Sequence, residues 1–486
     1  MTQTQARTET RTETHRDTHA HPHSTTRPWI EYVSYADASG YGQAAAGYVR
    51  LLVQAGWAVH WVPWLSAALW GGRTQPGRVQ AECALGRAAV MARSLGPGGQ
   101  WLRDLLAATQ TPPPAGHRVV RVLHTLPRFW PALLAQATPE QQAQGLTHVG
   151  MTVWETDRLP ADWLPALRGV QRLVVPCQHN QQVVQTARAE HAGLPPVFVA
   201  PHARRQALQP PPPPRLTGLA QWLGIQPNDH VFYTINAWDP RKRLGQLIDG
   251  FARTFTADEP AVLVVKTNRR AWFDDPLAPD SQRDVPHMVQ TILNRVAAET
   301  GRPPGRVALM AQDEVADSVI DGIHTLGHTF VTWSRCEGFG LGSYDAACLG
   351  KPVIAVNYGG PRDYLGDDAG DARLGLIPYR LVPCQPIAGF GWFDDQQKWP
   401  EPDDTQALAL MRDALQRPQV WHAQAQARAQ QLAQTFADAP LCLALEAALV
   451  AAKEAAEEAA EEATQDATTE PAHAPAAPAA ALLPAA

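Results

Sequence analysis

Two carboxylates and three glycines late in the chain have a spacing that suits chemistry on a phosphorylated ligand. Glu337 precedes three alternating glycines, Gly338, Gly340 and Gly342, and Asp345 follows Glu337 by eight residues. Glycine lets the backbone approach a ligand closely, and the first amides of a following helix attract anions such as phosphate. Because carboxylates repel phosphate, Glu337 and Asp345 are expected to accept hydrogen bonds from hydroxyl groups on either side of it. A diphosphate with a polyol at each end describes a nucleotide sugar.

Two buried strands and a short helix are predicted to position these residues. Thr329–Trp333, before the glycines, is β-branched and aromatic, and Val353–Val356, after them, is wholly apolar. Each pattern is typical of a buried strand. The segment between them suits a helix that ends at Gly350, with Pro352 just beyond. The carboxylates therefore lie in a strand–turn–helix–strand unit. The alternative is that this unit binds no ligand and that Glu337 is simply solvated.

The sequence Glu-Gly-Phe-Gly-Leu from Glu337, followed by Asp-Ala-Ala-x-x-Gly-Lys-Pro-Val from Asp345, resembles a known signature. It is similar to the Glu-x7-Glu motif of the retaining glycosyltransferases of family 4, which have the GT-B fold. The resemblance covers most of residues 29 to 440 and is strongest from 231 to 365. It implies that Glu337 contacts hydroxyls of the donor sugar and that Asp345, shorter than the usual glutamate, contacts the ribose. It also implies that the turn binds the donor through Gly338, Phe339, Gly340 and Leu341.

Cations follow two neighbouring strands in the second half of the chain. Arg241, Lys242 and Arg243 come after the strand His230–Ile235, and Lys266 ends the next strand. Ligands of open α/β sheets bind beyond the carboxyl ends of the strands, so these cations are predicted to face the same cleft as Glu337. We expect Lys242 and Lys266 to bind the diphosphate. For Arg243 we expect a solvated basic turn, and for Arg241 the same interpretation is an open alternative.

The same loop departs from the pattern of the family that it resembles. Relatives carry an Arg early in the loop, where Asn236 stands here, and a Gly where this chain has Arg243. In relatives that early Arg and the Lys of an Arg-Lys pair grip the diphosphate. The pair Arg241 and Lys242 matches, so the resemblance implies this role for Lys242 and makes Arg241 a candidate donor-binding residue. The number of cations is preserved, but the residue that replaces the missing Arg is not evident from the sequence.

A glycine-rich segment follows the first predicted strand, Trp29–Tyr35. Gly40-x-Gly42-x-x-Ala45 formally fits the dinucleotide-binding fingerprint, which also requires an acidic residue after the second strand. Val62 is followed by proline and tryptophan instead. The nicotinamide interpretation is therefore weak, and a glycine-rich loop that faces the cleft, with Gly42 near the donor, fits the resembled family better.

His124 and Glu155 follow two further predicted strands of the first half, Arg118–His124 and Thr147–Val153. Their position at the carboxyl edge makes them candidates for the acceptor side of the cleft. Many relatives carry a His where Trp154 and Glu155 lie, so that role is open in this chain. A structural histidine is an equal alternative for His124.

Composition excludes several other classes of protein. The 486 residues include 41 Lys and Arg against 47 Asp and Glu, and the net charge of −6 gives no sign of nucleic-acid binding. The six cysteines are scattered without a Cys-x-x-Cys pair, which favours a reducing compartment and argues against structural zinc. No apolar run reaches the length of a membrane span and the first residues do not resemble a signal peptide, so we expect a cytoplasmic enzyme with, at most, peripheral membrane contact.

The chain divides into an expected sequence of domains and tails. Both ends lack a pattern that could form a core, and a run of prolines marks a stiff linker in the middle. The predicted segments are a disordered tail (1–26), an N-terminal Rossmann-like acceptor domain (27–208), a Pro-rich linker (209–216), a C-terminal Rossmann-like nucleotide-sugar domain (217–425), C-terminal helices that can cross back to the first domain (426–462), and a disordered Ala/Pro tail (463–486).

The sequence thus predicts an α/β protein of GT-B type, with two Rossmann-like, doubly wound parallel-sheet domains facing a cleft. The resemblance implies a retaining, hexosyl-type glycosyltransferase of polysaccharide biosynthesis, with a UDP- or GDP-sugar as substrate rather than cofactor. The acceptor would be a saccharide, a lipid-linked sugar or another hydroxyl compound. Glu337, Lys242 and Glu155 are the candidate catalytic residues, and no Asp-x-Asp motif suggests a metal. A nucleotide-sugar epimerase and a catalytically silent sugar-nucleotide-binding protein are the alternatives.

Overall fold

The computed structural model describes most of the chain between residues 27 and 450. The described ranges are 27–35, 39–64, 100–205, 211–271, 283–313, 315–366, 375–387 and 391–450. The two predicted tails, 1–26 and 463–486, lie outside the described residues.

Six parallel strands form the first sheet, in the order β2-β1-β3-β4-β5-β6. Parallel strands are covered on two faces, and β3 shows the expected result because all six of its residues are buried. Its one charged residue, Arg121, forms an ion pair of 2.6 Å with Glu31 on the neighbouring strand. The strands are β1 (Trp29–Ser34), β2 (Val59–Pro63), β3 (Val119–His124), β4 (Thr147–Met151), β5 (Arg172–Val175) and β6 (Val197–Val199).

Helices follow the strands of the first sheet. The predicted glycine-rich loop at Gly40 is wrong, because these residues form the first turn of α1. Ser39 caps this helix by accepting a hydrogen bond of 3.2 Å from the amide of Gly42. The described helices of this half are α1 (Gly40–Gln54), α2 (Gln100–Ala108), α3 (Trp130–Leu134), α4 (Pro139–Ala143), α5 (Leu164–Leu167) and α6 (Gln178–Glu190), with 3-10 turns at Pro127–Phe129 and Ala161–Trp163.

The second sheet also has six strands, in the order β12-β11-β10-β7-β8-β9. The central strand β7 is predicted from the sequence with its observed bounds, because an unbroken apolar and aromatic run is flanked by polar loops. The strands are β7 (His230–Ile235), β8 (Ala261–Thr267), β9 (Arg306–Ala311), β10 (Thr329–Val331), β11 (Val353–Val356) and β12 (Leu376–Ile377). A separate antiparallel hairpin consists of β13 (Tyr379–Pro383) and β14 (Lys398–Pro402).

The helices of the second half begin inside the predicted linker. Proline fits the first turn of a helix, where amide groups have no intrahelical partner, so the end of the proline run starts α7 at Pro213 instead of continuing the linker to residue 216. The described helices are α7 (Pro213–Trp222), α8 (Leu244–Thr254), α9 (Val285–Thr300), α10 (Asp317–Leu326), α11 (Leu341–Cys348), α12 (Pro361–Leu365), α13 (Asp404–Gln416), α14 (Pro418–Thr435) and α15 (Asp438–Val450), with a 3-10 turn at Pro240–Lys242.

The last helix, α15, packs on the first sheet. Leu445 and Leu449 are buried in one apolar cluster with Ile30 and Tyr32 of β1. Asp438 pairs with Arg50 of α1 at 2.8 Å. Helix α14 runs through residue 425, the predicted boundary between the second domain and the C-terminal helices.

Within the described residues, no single helix is long and apolar enough to span a membrane. The bent pair Pro418–Thr435 and Asp438–Leu449, with a 45° angle, does reach the required length and composition when the two are taken together.

The prediction of two Rossmann-like, doubly wound parallel sheets is confirmed. The carboxyl ends of the strands in each sheet face a cleft between the two halves, and residues from both halves line it. This arrangement places the loops after β3, β4, β7, β8 and β10 around one cavity.

Candidate active site

A cavity of about 810 Å³ lies in the cleft between the two sheets. It brings together residues that are more than 200 positions apart in the sequence. All of the predicted site residues except Gly42 line it: His124, Glu155, Arg241, Lys242, Lys266, Glu337, Gly338, Phe339, Gly340, Leu341 and Asp345.

Gly42 does not line the cavity. It lies inside α1, where its side of the helix is buried. Gly40 and Tyr41, at the start of the same helix, do line the cavity. A Cβ atom on Gly40 would lie 3.8 Å from Leu341 of the second half. The start of α1 therefore approaches, across the cleft, the turn that begins at Gly338, here called the glycine turn.

The glycine turn owes its shape to close approaches of the backbone. Gly340 has a φ of 83° and caps α11, a conformation that residues with a Cβ rarely adopt. A Cβ on Gly338 would lie 2.1 Å from Val153 of the first half. The amide of Gly360 donates a hydrogen bond of 3.1 Å to the carbonyl oxygen of Glu337. The backbone beside Glu337 is therefore fixed from two sides.

Lys242 and Glu337 contact each other in the cavity. Lys242 Nζ donates a hydrogen bond of 2.6 Å to Glu337 Oε2, and each side chain is 13% exposed. Lys242 ends the 3-10 turn Pro240–Lys242, which Asp239 caps through the amide of Arg241. A cation expected at the diphosphate and a carboxylate expected at the sugar are thus adjacent.

Arg241 lines the cavity with its guanidinium between two carboxylates, and its side chain is 13% exposed. Its Nη1 donates a hydrogen bond of 2.7 Å to Glu155 of the first half, and its Nη2 donates one of 3.2 Å to Asp239. Burial alone would lower the pKa of Arg241, but the two carboxylates hold it well above the usual value. The ion pair with Glu155 joins the two halves across the cleft.

The prediction of a solvated basic turn is wrong for Arg243. Its side chain is buried and pairs with Asp404 at 2.7 Å and with Glu401 at 3.0 Å. Its φ of 50° is left-handed, which is the conformation that favours the Gly of the resembled family at this position. The two ion pairs fix the end of the loop that carries Lys242.

Lys266 and Asn236 lie side by side at the ends of β8 and β7. The amide of Asn236 donates to the carbonyl oxygen of Lys266 at 3.1 Å, and its side chain donates to Thr234 at 2.9 Å. Burial lowers the pKa of Lys266, and Asp313, which follows the neighbouring strand β9, partly offsets this effect. Asn236 therefore lines the cavity where the resembled family has an Arg, and it brings no charge.

Asp345 is a buried carboxyl group on α11. Burial raises its pKa to about 7, and Asp321 adds to the increase while Arg205 opposes it. Arg205 lies 3.8 Å from Asp345 and 2.8 Å from Asp321. No sequence motif singles out Arg205, which follows β6.

Two buried histidines line the first-half wall of the cavity. His124 contacts the hydroxyl of Tyr32 at 2.8 Å, and His202 contacts the hydroxyl of Tyr48 at 3.0 Å. The ring of His202 also packs edge-on against Phe339 of the glycine turn, with 4.6 Å between ring centres. His202 is not predicted as a site residue from the sequence, because it follows a strand of three residues and belongs to no recognised motif.

Aromatic residues from the second half contact the first half at the cavity wall. Phe393 stacks on Trp154 of the first half, with 5.4 Å between ring centres and an angle of 19°. Gln397 and Thr156 share a hydrogen bond of 3.0 Å beside this stack. The neighbouring Trp392 lines the cavity. The aromatic stretch is visible in the sequence, but its contact across the cleft requires the fold.

Within the described residues, no group of three or more His, Cys, Asp or Glu side chains is arranged to hold a metal ion. Lys242 and Lys266 both line the cavity.

Two doubly wound parallel sheets that face each other across a ligand cavity define the GT-B fold, and this chain has that fold. No protein-family model matches the sequence, and neither does any curated protein. Solved structures do match it. The Anabaena protein Alr3699/HepE, in complex with UDP and glucose, is 13% identical with a TM-score of 0.55, and the match covers 87% of this chain and 100% of that one.

Two further structures show the same similarity of fold. The sucrose-phosphate synthase (tll1590) of Thermosynechococcus elongatus is 13% identical with a TM-score of 0.51, over 86% of this chain and 98% of its own. The E. coli trehalose-6-phosphate structure bound with UDP-2-fluoro glucose is 11% identical with a TM-score of 0.52, over 86% and 98%. At these identities the likeness establishes the fold.

Proposed function

We propose that this protein is a retaining glycosyltransferase of the family 4 type. It transfers a hexosyl group from a UDP- or GDP-sugar to a hydroxyl group of a saccharide, a lipid-linked sugar or a related acceptor. The observation that carries the proposal is the 2.6 Å contact between Lys242 and Glu337 beside the start of α11. It puts a cation for the diphosphate and a carboxylate for sugar hydroxyls at one point of an interdomain cavity.

The donor would lie along the second half of the cavity. Lys242, Lys266 and the first amides of α11 offer positive charge to the diphosphate. Glu337 would then accept hydrogen bonds from the sugar, and Asp345 would accept one from the ribose. The ligands named for two similar structures, UDP with glucose and UDP-2-fluoro glucose, support a nucleotide-sugar donor.

The three carboxylates predicted for the site, Glu337, Asp345 and Glu155, support a front-face reaction. A covalent route needs a carboxylate below the anomeric carbon. Glu337 is paired with Lys242, Asp345 lies beside Arg205, and Glu155 is held by Arg241. We therefore propose that the acceptor attacks from the face of the leaving group, through an ion-pair-like transition state.

The leaving diphosphate would take the acceptor proton in this mechanism. Lys242, Lys266 and the start of α11 would stabilise the charge that develops on it, without a metal. Glu155 would orient the acceptor from the first half, together with His124.

The compartment is part of the proposal. The five cysteines of the described residues are free thiols, three of them buried. Unpaired cysteines suit a reducing compartment, which supports a cytoplasmic location.

A panel of radiolabelled donors tests the function. The protein is incubated with UDP-glucose, UDP-galactose, UDP-N-acetylglucosamine, GDP-mannose and candidate saccharides, and free nucleotide, free sugar and glycosylated product are separated. A transferase gives nucleotide and glycosylated product. Change of sugar configuration without an acceptor would favour an epimerase, and binding without turnover would favour a silent binding protein.

A further inference from the structure

His124 and His202 lie in the wall that the first half contributes to the cavity, and each forms a hydrogen bond with a tyrosine hydroxyl. Tyr48 packs against both rings, with centre distances of 5.8 Å to His124 and 5.6 Å to His202. Each histidine bonds its tyrosine through Nδ1. Within the described residues, the other ring nitrogen of each histidine, Nε2, has no hydrogen-bond partner. Since both residues line the cavity, the Nε2 atoms are available to a ligand.

The hydrogen bonds of Tyr48 decide where His202 carries its proton. The Tyr48 hydroxyl lies 2.5 Å from the carbonyl oxygen of Ala200, which can only accept, so the hydroxyl donates to it. Having used its one proton, the Tyr48 oxygen can only accept from His202. Nδ1 of His202 must therefore carry a hydrogen, and burial, which lowers the pKa of His202 to about 3, keeps the ring neutral. Its Nε2 then presents a lone pair.

His124 has the opposite tautomer by the same reasoning. The Tyr32 hydroxyl lies 2.8 Å from His124 Nδ1 and 3.2 Å from the sulfur of Met151. The hydroxyl can donate to either atom, and because a thioether is the weaker acceptor we assign its hydrogen to the nitrogen. Burial, with a smaller effect of nearby His202, holds the pKa of His124 well below the usual value. The neutral ring then has its hydrogen on Nε2 and can donate it.

One neutral acceptor and one neutral donor at the same wall suit a hydroxyl group. An anion would be repelled by the lone pair of His202 and would gain no charge from either ring. A hydroxyl can donate to one partner and accept from another. The edge of His202 against Phe339 places it beside the glycine turn, where the donor is proposed to lie.

We propose that His202 binds a substrate hydroxyl group through Nε2 as a hydrogen-bond acceptor, with His124 as the complementary donor. This inference rests on the proposed function for the identity of the substrate as a sugar. It makes His202 a determinant of which hydroxyl pattern is accepted, a role that the chain's sequence motifs do not include.

Two substitutions at His202 separate substrate binding from structure. In His202→Asn the amide nitrogen can take the place of Nδ1 and keep the bond to Tyr48, but nothing replaces Nε2. In His202→Gln the amide can reach the position of Nε2 while the bond to Tyr48 is lost. We expect His202→Asn to lower kcat/KM roughly tenfold and His202→Gln to retain more activity. Thermal melting of both variants is the control, and a ranking of activity that follows stability would contradict the proposal.

Deoxy donors identify the hydroxyl. UDP-glucose and GDP-mannose are compared with their 2-, 3-, 4- and 6-deoxy forms, both with acceptor and in donor hydrolysis without it. For one deoxy form, wild type should lose about tenfold while His202→Asn loses nothing further, since the same bond cannot be removed twice. If the variant slows transfer but not hydrolysis, the hydroxyl belongs to the acceptor. Two results together would overturn the proposal. His202→Asn would leave the rates of hydrolysis and transfer unchanged, and every deoxy form would lose as much activity with the variant as with wild type.

Nitrogen NMR of protein labelled with ¹⁵N-histidine gives a readout that needs no turnover. The His202 signals, identified by their loss in His202→Asn, should show a neutral ring with hydrogen on Nδ1 between pH 5 and 8. Adding UDP-glucose or GDP-mannose should shift Nε2 in the direction of a hydrogen-bond acceptor. Hydrogen on Nε2, or no shift with a donor that the protein turns over, would contradict the inference. No turnover of any donor would instead count against the proposed function.

Discussion

At the scale of single residues, the ion pair between Lys242 and Glu337 joins two groups that are proposed to bind different parts of one donor. Glu337→Ala should abolish transfer because the sugar hydroxyls lose their acceptor. The same change releases Lys242, so UDP or GDP should bind as tightly as to wild type or more tightly. Lys242→Ala should weaken diphosphate binding by roughly 1.5–3 kcal/mol, the usual contribution of a hydrogen bond to a charged group. Calorimetry with UDP, GDP, uridine and guanosine measures these effects.

The double variant and a distant lysine control this prediction. Glu337→Ala should restore part of the binding that Lys242→Ala loses, because it removes a carboxylate left without its partner. Lys398→Ala, at an exposed lysine on β14, should bind UDP like wild type. Full transfer activity in Glu337→Ala, or wild-type UDP binding in Lys242→Ala, would be incompatible with the assignment.

Asp345 gives a prediction about pH. Its pKa in the folded protein is about 7, above its ordinary value of 3.8. Between about pH 4 and 7 the unfolded chain releases this proton before the folded one does, so the contribution of Asp345 to stability falls as the pH rises and is constant above 7. Asp345→Asn removes the effect, and its melting temperature relative to wild type should be higher at pH 8 than at pH 5.

The difference in melting temperature between wild type and Asp345→Asn isolates the effect of this carboxyl group. The buried histidines, whose pKa values are lowered, change the stability with pH in the opposite direction, but they are present in both proteins. Asp317→Asn, at a half-exposed carboxylate that also faces Arg205, is the matched control for the removal of a carboxylate from this wall. A melting difference for Asp345→Asn that does not change between pH 5 and 8 would refute the assignment.

At the scale of elements, the glycine turn and the loop after β4 meet too closely for a side chain. A Cβ on Gly338 would lie 2.1 Å from Val153 Cγ2, while its next neighbours are 3.3 Å away or more. Gly338→Ala should therefore force the two loops apart and lower activity strongly. Val153→Ala removes the clashing methyl group, so the double variant should recover much of the loss. Rates of donor turnover measure both.

A glycine with open space around it is the control. A Cβ on Gly218 of α7 meets nothing within 4 Å, and alanine is the better helix former, so Gly218→Ala should leave activity unchanged and add slightly to stability. If Gly338→Ala turns over donor like wild type, the two loops do not meet in the active protein.

Elements were predicted from the sequence where one local pattern decides the structure. β7 and β11 have their predicted bounds because apolar runs between polar loops leave no alternative. The glycines at 40 and 42 failed as a loop signal because Ser39 can cap a helix directly in front of them. The proline run was assigned to a linker throughout, although proline is also favoured in a first helical turn.

Within the site, the sequence identified residues that belong to a motif and missed those that depend on tertiary contacts. Glu337 and Lys242 stand in recognisable loops at strand ends. Arg205 and His202 have no local signal, and they line the cavity because the chain passes beside α1 and α11 on its way between the halves. Arg243 was misread because its partners, Glu401 and Asp404, lie about 160 residues away.

At the scale of the whole molecule, helix α15 ties the end of the described chain to the first sheet. Leu445 is 1% exposed in the cluster with β1, whereas Leu443 on the same helix is 67% exposed. Leu445→Ala should lower the free energy of unfolding by about 2–5 kcal/mol, as for other large-to-small changes in cores. Leu443→Ala should have almost no effect. Urea unfolding compares the two, and equal effects would mean that α15 is not docked in solution.

The stereochemistry of transfer tests the central claim most directly, because the paired carboxylates of the cavity leave the front-face route as the proposed one. Proton NMR follows the anomeric signal of the first-formed product while the protein consumes the donor that the panel identifies, with Glu337→Ala as the inactive control. The account predicts a product with the same anomeric configuration as the donor. A first-formed product of inverted configuration would contradict the mechanism and the proposed family type.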